Sequence, residues 1–183
     1  PEYWEKADAA AGTAPSTLRM ILPEIYLSEA ESRIPQIHET MEKYIRDVLN
    51  VHKNSMIYVE RTQSDGKVRH GLVGMVDLEQ YDYHRGAKTL IRATESTVEE
   101  RIPPRLAVRQ GAALELPHAM LLMDDPGRTV IEPLTARREE LKQLYGFSLA
   151  FGGGKITGRL LDGTGLGRVT TALQRLIAPE RVK

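Results

Sequence analysis

The chain has 183 residues, with 25 Lys and Arg against 25 Asp and Glu, so no net field draws it to nucleic acid or to an anionic membrane. It contains no cysteine, which excludes disulfides, thiolate metal sites and cysteine nucleophiles together and suits a reducing cytoplasm. Its longest apolar runs, such as Ala119-Met120-Leu121-Leu122-Met123, are about five residues against the roughly 20 that cross a bilayer, and no membrane span is expected.

The opening Pro1-Glu2-Tyr3-Trp4 has no initiator Met, basic region or apolar signal core, and is expected to be a boundary within a longer protein. Pro1 to about Ala11 fits a short helix with Tyr3, Trp4 and Ala7 near one face. Thr17 to Leu27 is apolar but broken by Pro23; it predicts a short edge strand at best, so residues 1–27 read as an N-terminal arm. Ser28 fits an N-cap, with Glu29 and Glu31 in a first turn and Ile34, Ile37, Met41, Tyr44, Ile45 and Val48 at helical spacing. Pro35 should kink that helix or mark its true start.

Met56-Ile57-Tyr58-Val59 and Leu72-Val73-Gly74-Met75-Val76 flank Ser64-Asp65-Gly66-Lys67, and Asp-Gly between apolar runs predicts a hairpin. Thr89 to Arg92 is a candidate third strand. Ser96-Thr97-Val98-Glu99 fits a capping box that starts a helix, which Pro103-Pro104 should break. Ala119 to Met123 reads as a buried strand closed by an Asp124-Asp125-Pro126-Gly127 turn. A helix over residues 134–145 should follow, then a hairpin of Phe147–Phe151 and Ile156–Leu161 around Gly152-Gly153-Gly154-Lys155. A glycine loop at residues 163–167 would lead into a last helix ending near Ile177. Hairpins mixed with non-alternating helices predict one α+β domain over residues 1–183, a mixed or antiparallel sheet with helices packed on it.

Tyr81 to Arg109 is the densest polar stretch, with Arg85, Lys88, Arg92, Arg101, Arg105 and Arg109 among Asp82, Glu95, Glu99 and Glu100. The planar fork of arginine suits phosphate, and a helix opening at Ser96 would offer free N–H groups to the same anion. Arg92, Thr94, Glu95, Ser96, Arg101 and Arg105 are therefore the expected phosphate-binding residues, with Glu95 or His84 as candidate acid/base groups. The plainer alternative is that these charges pair with one another on a solvated face.

The glycine loops match no phosphate-binding template, and the five histidines, His38, His52, His70, His84 and His118, contain no close ligand pair, so no metal site is expected. Asp124-Asp125 is explained by its turn. No cofactor is specified.

The runs Pro1-Glu2-Tyr3-Trp4-Glu5, Ala14-Pro15-Ser16-Thr17-Leu18, Leu90-Ile91-Arg92-Ala93-Thr94-Glu95, Arg101-Ile102-Pro103-Pro104-Arg105, Glu115-Leu116-Pro117-His118 and Asp124-Asp125-Pro126 closely resemble a conserved bacterial family designated a domain of unknown function. The resemblance spans nearly the whole chain. It implies a parent about twice as long, whose C-terminal half carries an Asp-Gly-Asn/His-His motif similar to that of the ParB and sulfiredoxin-like superfamily. That motif is absent from these residues, and by analogy it implies nucleotide or phosphoryl chemistry.

Two functions compete. The first is part of a phosphate- or nucleotide-dependent enzyme that binds a phosphate-bearing small molecule. The second is a non-catalytic binding or assembly module, in which the same arginines meet acidic groups of a partner or of a second copy. Nucleic-acid binding ranks below both, because zero net charge and 5% aromatic residues give neither an electrostatic footprint nor a stacking platform.

Overall fold

Met20, Ile37, Met41 and Tyr44 meet in one core, and Val130, Leu161 and Val169 in another. The computed structural model describes residues 2–82, 84–92 and 98–177. It divides into two compact units, Pro1–Val51 with Glu95–Leu121, and His52–Thr94 with Leu122–Lys183.

The first unit is helical. Its helix α1, Glu2–Ala11, has Glu2 and Glu5 in the first turn, where they favour the helix dipole. Two 3-10 turns, Thr17–Met20 and Glu24–Glu29, occupy the segment expected to be strand and arm. Ser16 caps the first of them by accepting from the backbone N–H of Leu18 at 3.2 Å. Helix α2 spans Ala30–Asp47 with Pro35 inside it. Ser28 lies in the preceding turn and is not its cap.

Ile37, Met41 and Tyr44 recur at helical spacing and bury one stripe of α2. Leu22, Val108, Leu114 and Leu116 pack on that stripe. The Tyr44 hydroxyl accepts from the Ser16 backbone N–H at 3.1 Å, which ties the first 3-10 turn to the helix. Helix α3, Ile102–Arg109, begins at Pro103-Pro104 instead of being broken by them. Proline's fixed φ suits a first helical turn, and the N–H it lacks has no partner there anyway.

The second unit is built on a four-stranded sheet of order β2-β1-β6-β5, antiparallel throughout. Its strands are β1, Met56–Thr62, and β2, Val68–Val73, then β5, Gln143–Ser148, and β6, Lys155–Leu161. Two short strands, β3 at Tyr81–Asp82 and β4 at Ile91–Arg92, pair in parallel apart from that sheet. The hairpin β1–β2 turns at Asp65-Gly66, with Gly66 at φ 83°, as the sequence requires.

Helix α4 is only Ile131–Ala136. A 3-10 turn, Arg138–Glu140, follows it. Gln143 to Tyr145, the end of the expected helix over residues 134–145, are strand. Helix α5, Gly163–Leu176, absorbs the glycine-rich segment expected to be a loop. Leu166, Val169, Ala172, Leu173 and Leu176 of α5 pack against Leu161, Met56 and Leu72, and that burial outweighs the poor helix propensity of glycine.

Ala119–Met123, expected to be a buried strand, straddles the boundary between the units as irregular chain. Met120 and Leu122 there are 80% and 87% exposed. The Asp125-Pro126-Gly127 turn does form. The Asp125 carboxylate accepts from the backbone N–H groups of Thr129 and Val130 at 2.6 and 3.0 Å and from the Thr129 hydroxyl at 3.0 Å. The fold is α+β with an antiparallel sheet, and among the described residues no helix is long and apolar enough to cross a membrane.

Candidate functional site

Alternation along β1 places Met56, Tyr58 and Glu60 on one face of the sheet. Register then sets Leu161, Arg159 and Thr157 of β6 and Leu72 and His70 of β2 beside them. Helices α4 and α5 cover the Met56, Leu72, Leu161 end of this face. The other end is polar. Tyr58, with no exposed surface, stands between the two ends.

The Tyr58 hydroxyl lies 2.8 Å from Nδ1 of His70 and 2.9 Å from Oγ1 of Thr135 on α4. Burial raises the Tyr58 phenol above its ordinary value. The charges of Arg138 and Arg159 oppose that rise, while the Glu60 carboxylate adds to it. Glu60 is the hub of the cluster. Its Oε1 is 3.7 Å from His70 Nδ1 and 3.5 Å from Arg138 Nε, and its Oε2 is 3.9 Å from Arg159 Nε.

Arg159 is the most enclosed of these charges, its side chain 13% exposed. Its Nη2 donates to both oxygens of Glu139 at 3.2 Å. Its Nε is buried without a hydrogen-bond partner. An orphaned donor of that kind is uncommon in a protein interior, and here the Glu60 carboxylate lies 3.9 Å from it. The cluster brings together an acid, two guanidinium groups, an imidazole and a buried phenol, a composition suited to holding an anion and moving a proton.

The second unit's other sheet face carries Ile57, Val59 and Leu160, with the Arg61–Arg69 pair toward one end. A bulge at Leu144 shifts the register between Gln143 and Tyr145, so Tyr145 turns to the face opposite Arg159. Its ring lies across Gly158, where an added Cβ would fall inside the ring. Burial raises the Tyr145 phenol above its ordinary value.

The first unit holds a cavity of about 330 Å³ lined by Trp4, Asp8, Arg19, Tyr26, Arg33 and others. Both of its arginines are committed. Arg19 is paired with Asp8 and donates to the Gly12 carbonyl at 2.8 Å. Arg33 is paired with Glu29 at 2.7 Å and stacks 3.6 Å over the Tyr26 ring. His38 also has a structural contact, its Nε2 donating to the Val108 carbonyl at 2.8 Å.

The expected site residues divide between the two units. Thr94, Glu95 and Ser96 lie outside the described residues, as does the Arg92 side chain, although the Arg92 backbone closes β4. His84 is exposed, and its Nδ1 lies 2.6 Å from the Asp82 carboxylate, which also accepts from the His84 backbone N–H at 2.9 Å. Those bonds, the backbone one first, hold the Asp82 carboxyl below its usual range. Arg101 and Arg105 sit in the first unit at the start and middle of α3, exposed and with no ion pair among the described residues. Arg109, one turn further, is paired with Glu115 at 3.0 Å. Pro103 and Pro104 remove two of the N–H groups that this helix start would offer an anion.

The sheet-face cluster was not singled out by sequence spacing, because its members are drawn from β1, β2, the α4 region and β6. One signal was present. Within the apolar run of β1, Tyr58 and Glu60 are two residues apart on the face whose next position, Met56, joins the core, and a carboxylate there breaks the alternation of a purely structural strand.

No curated protein and no solved structure matches this chain. One family does, over residues 1–164, and the chain belongs to it: the family described as Protein of unknown function (DUF1015).

Proposed function

We propose that this chain is part of a phosphate- or nucleotide-dependent enzyme of the bacterial cytoplasm, and that Arg138 and Arg159, with His70 beside them, take the anion at the polar end of the second unit's sheet. The observation that carries this reading is the placing of two guanidinium groups, Arg138 and the enclosed Arg159, about the Glu60 carboxylate. Glu139 occupies the Arg159 guanidinium's other edge, yet its own side chain is 72% exposed. A pair with one partner so exposed is partly screened by solvent, and a phosphate would bring more charge to the same guanidinium edge. The phosphate site expected from the sequence, represented among the described residues by Arg101 and Arg105 of the first unit, is the competing location for the anion.

Isothermal titration with inorganic phosphate and with a nucleoside triphosphate tests the assignment. Arg138→Ala should weaken binding by roughly tenfold or more, the loss expected of one charge-assisted hydrogen bond. Binding lost instead in Arg101→Ala and Arg105→Ala would move the site to α3. The second reading, a non-catalytic assembly module, is favoured by exposed apolar side chains such as Phe147, 55% exposed, and predicts a stable homo-oligomer by light scattering that ignores phosphate. Nucleic acid remains disfavoured by the zero net charge.

A further inference from the structure

We infer that His70 is the proton acceptor of this cluster, held by Tyr58 and Thr135 as the Nδ1–H tautomer so that its Nε2 lone pair is left open to a ligand. The assignment follows from counting hydrogens along one chain of bonds. The Thr135 hydroxyl donates its only hydrogen to the Ile131 carbonyl at 3.1 Å. Toward Tyr58 it can therefore only accept. The phenol hydrogen of Tyr58 then goes to Thr135, 2.9 Å away, and the Tyr58 oxygen must accept from His70 Nδ1 at 2.8 Å. Neutral imidazole carries one N–H, so Nε2 has none.

A second observation agrees. Oε1 of Glu60 lies 3.7 Å from the same Nδ1, and a carboxylate there favours the proton on that nitrogen. Nothing among the described residues bonds to Nε2, and the His70 side chain retains 28% exposure. The charged groups of the cluster are Glu60 on β1, Arg138 and Glu139 in the 3-10 turn before β5, and Arg159 on β6.

The chemistry is that of a base fixed from behind. A ligand O–H within reach of Nε2 shares or yields its proton: the O–H bond breaks, an N–H bond forms, and the imidazolium keeps Nδ1–H toward Tyr58 and the Glu60 carboxylate. With an anion on Arg138, the fitting ligand class is a phosphate monoester in its singly protonated form, and this part of the inference rests on the anion reading above. Tyr58 and Thr135 are positioning residues.

Two-dimensional ¹⁵N NMR of the histidine ring nitrogens in the whole chain, at about pH 8 where an unperturbed imidazole is neutral, decides the tautomer, with His70→Gln identifying the signals. The wild type should show protonated Nδ1 and unprotonated Nε2; protonated Nε2 would overturn the inference. Thr135→Val removes the acceptor for the phenol hydrogen, so Tyr58 turns to donate to Nδ1 and the ring should switch to Nε2–H. A Thr135→Val protein still carrying Nδ1–H would refute the role given to the hydrogen-bond chain. Inorganic phosphate that releases heat on binding should shift the Nε2 signal, and heat without a shift would overturn the acceptor role. No heat at all would sink the anion reading and the ligand named here, while the first spectrum still decides the tautomer.

Discussion

Replacing Tyr58 with phenylalanine removes one oxygen and changes nothing else in the shape of the core. That oxygen is within 2.9 Å of both Thr135 and His70, and the residue has no exposed surface, so water cannot replace it without rearrangement. Leaving two partly buried polar partners short of a bond costs about 1–3 kcal/mol. For a unit of this size each kcal/mol lowers Tm by about 4–8 °C, so differential scanning calorimetry should show a fall of at least about 4 °C at neutral pH. The pH dependence gives a second readout. Because burial raises the folded-state phenol, the folded chain keeps a proton that the unfolded chain loses above about pH 10. The Tyr58 contribution is thus complete below that pH and declines as pH rises through the folded value. The phenyl ring of the variant has nothing to titrate, so the gap in Tm between the two proteins should narrow above about pH 10. Tyr145, also raised by burial, titrates in both proteins and cancels in the comparison. An unchanged Tm at neutral pH, or a gap that widens at high pH, would refute the placing of this hydroxyl in a buried network.

The remaining predictions concern packing and charge. Gly158→Ala drives a methyl into the Tyr145 ring and should cost about 1–3 kcal/mol by urea unfolding, the penalty of overpacking, with the Tyr145 phenol moving back toward its ordinary value as the ring is displaced outward. Met41→Ala, at a side chain 2% exposed in the first unit's core, should cost about 2–5 kcal/mol, and the unfolding transition it lowers should belong to α2 and not to the sheet, as hydrogen exchange would show. Glu139→Ala frees an edge of Arg159 and should tighten inorganic phosphate severalfold in a calorimetric titration; unchanged or weaker affinity would argue that the anion does not use that edge.

The sequence by itself determined those elements whose cause is local. The Asp65-Gly66 turn needs only a glycine that tolerates positive φ between two apolar runs, and α2 needs only apolar residues three and four apart. The Asp125-Pro126-Gly127 turn is local in the same sense, since its carboxylate caps N–H groups four and five residues on. Expectations failed where a neighbour distant in sequence made the choice. Gln143 to Tyr145 fit a helix until β6 offers an edge to pair with. Residues 163–167 look like a loop until Leu166 and Val169 find Leu161 to pack on. The apolar Ala119–Met123 looks like a strand, but no sheet edge reaches it among the described residues, and unpaired backbone stays out in water. Pro103-Pro104 can stop a helix or start one, and the direction taken depends on where the preceding turn ends.

The candidate site belongs wholly to the second class. Tyr58, His70, Thr135, Arg138 and Arg159 are ordinary polar residues in sequence; the pairing of β1 with β2 and β6 sets His70 and Arg159 beside Glu60 and Tyr58, and the α4 region brings Thr135 and Arg138 to them. Spacing along a chain reports which side chains share a strand or a helix face. Which strands become neighbours is settled by the free energy of burying whole faces at once, and that quantity has no address in any short stretch of residues.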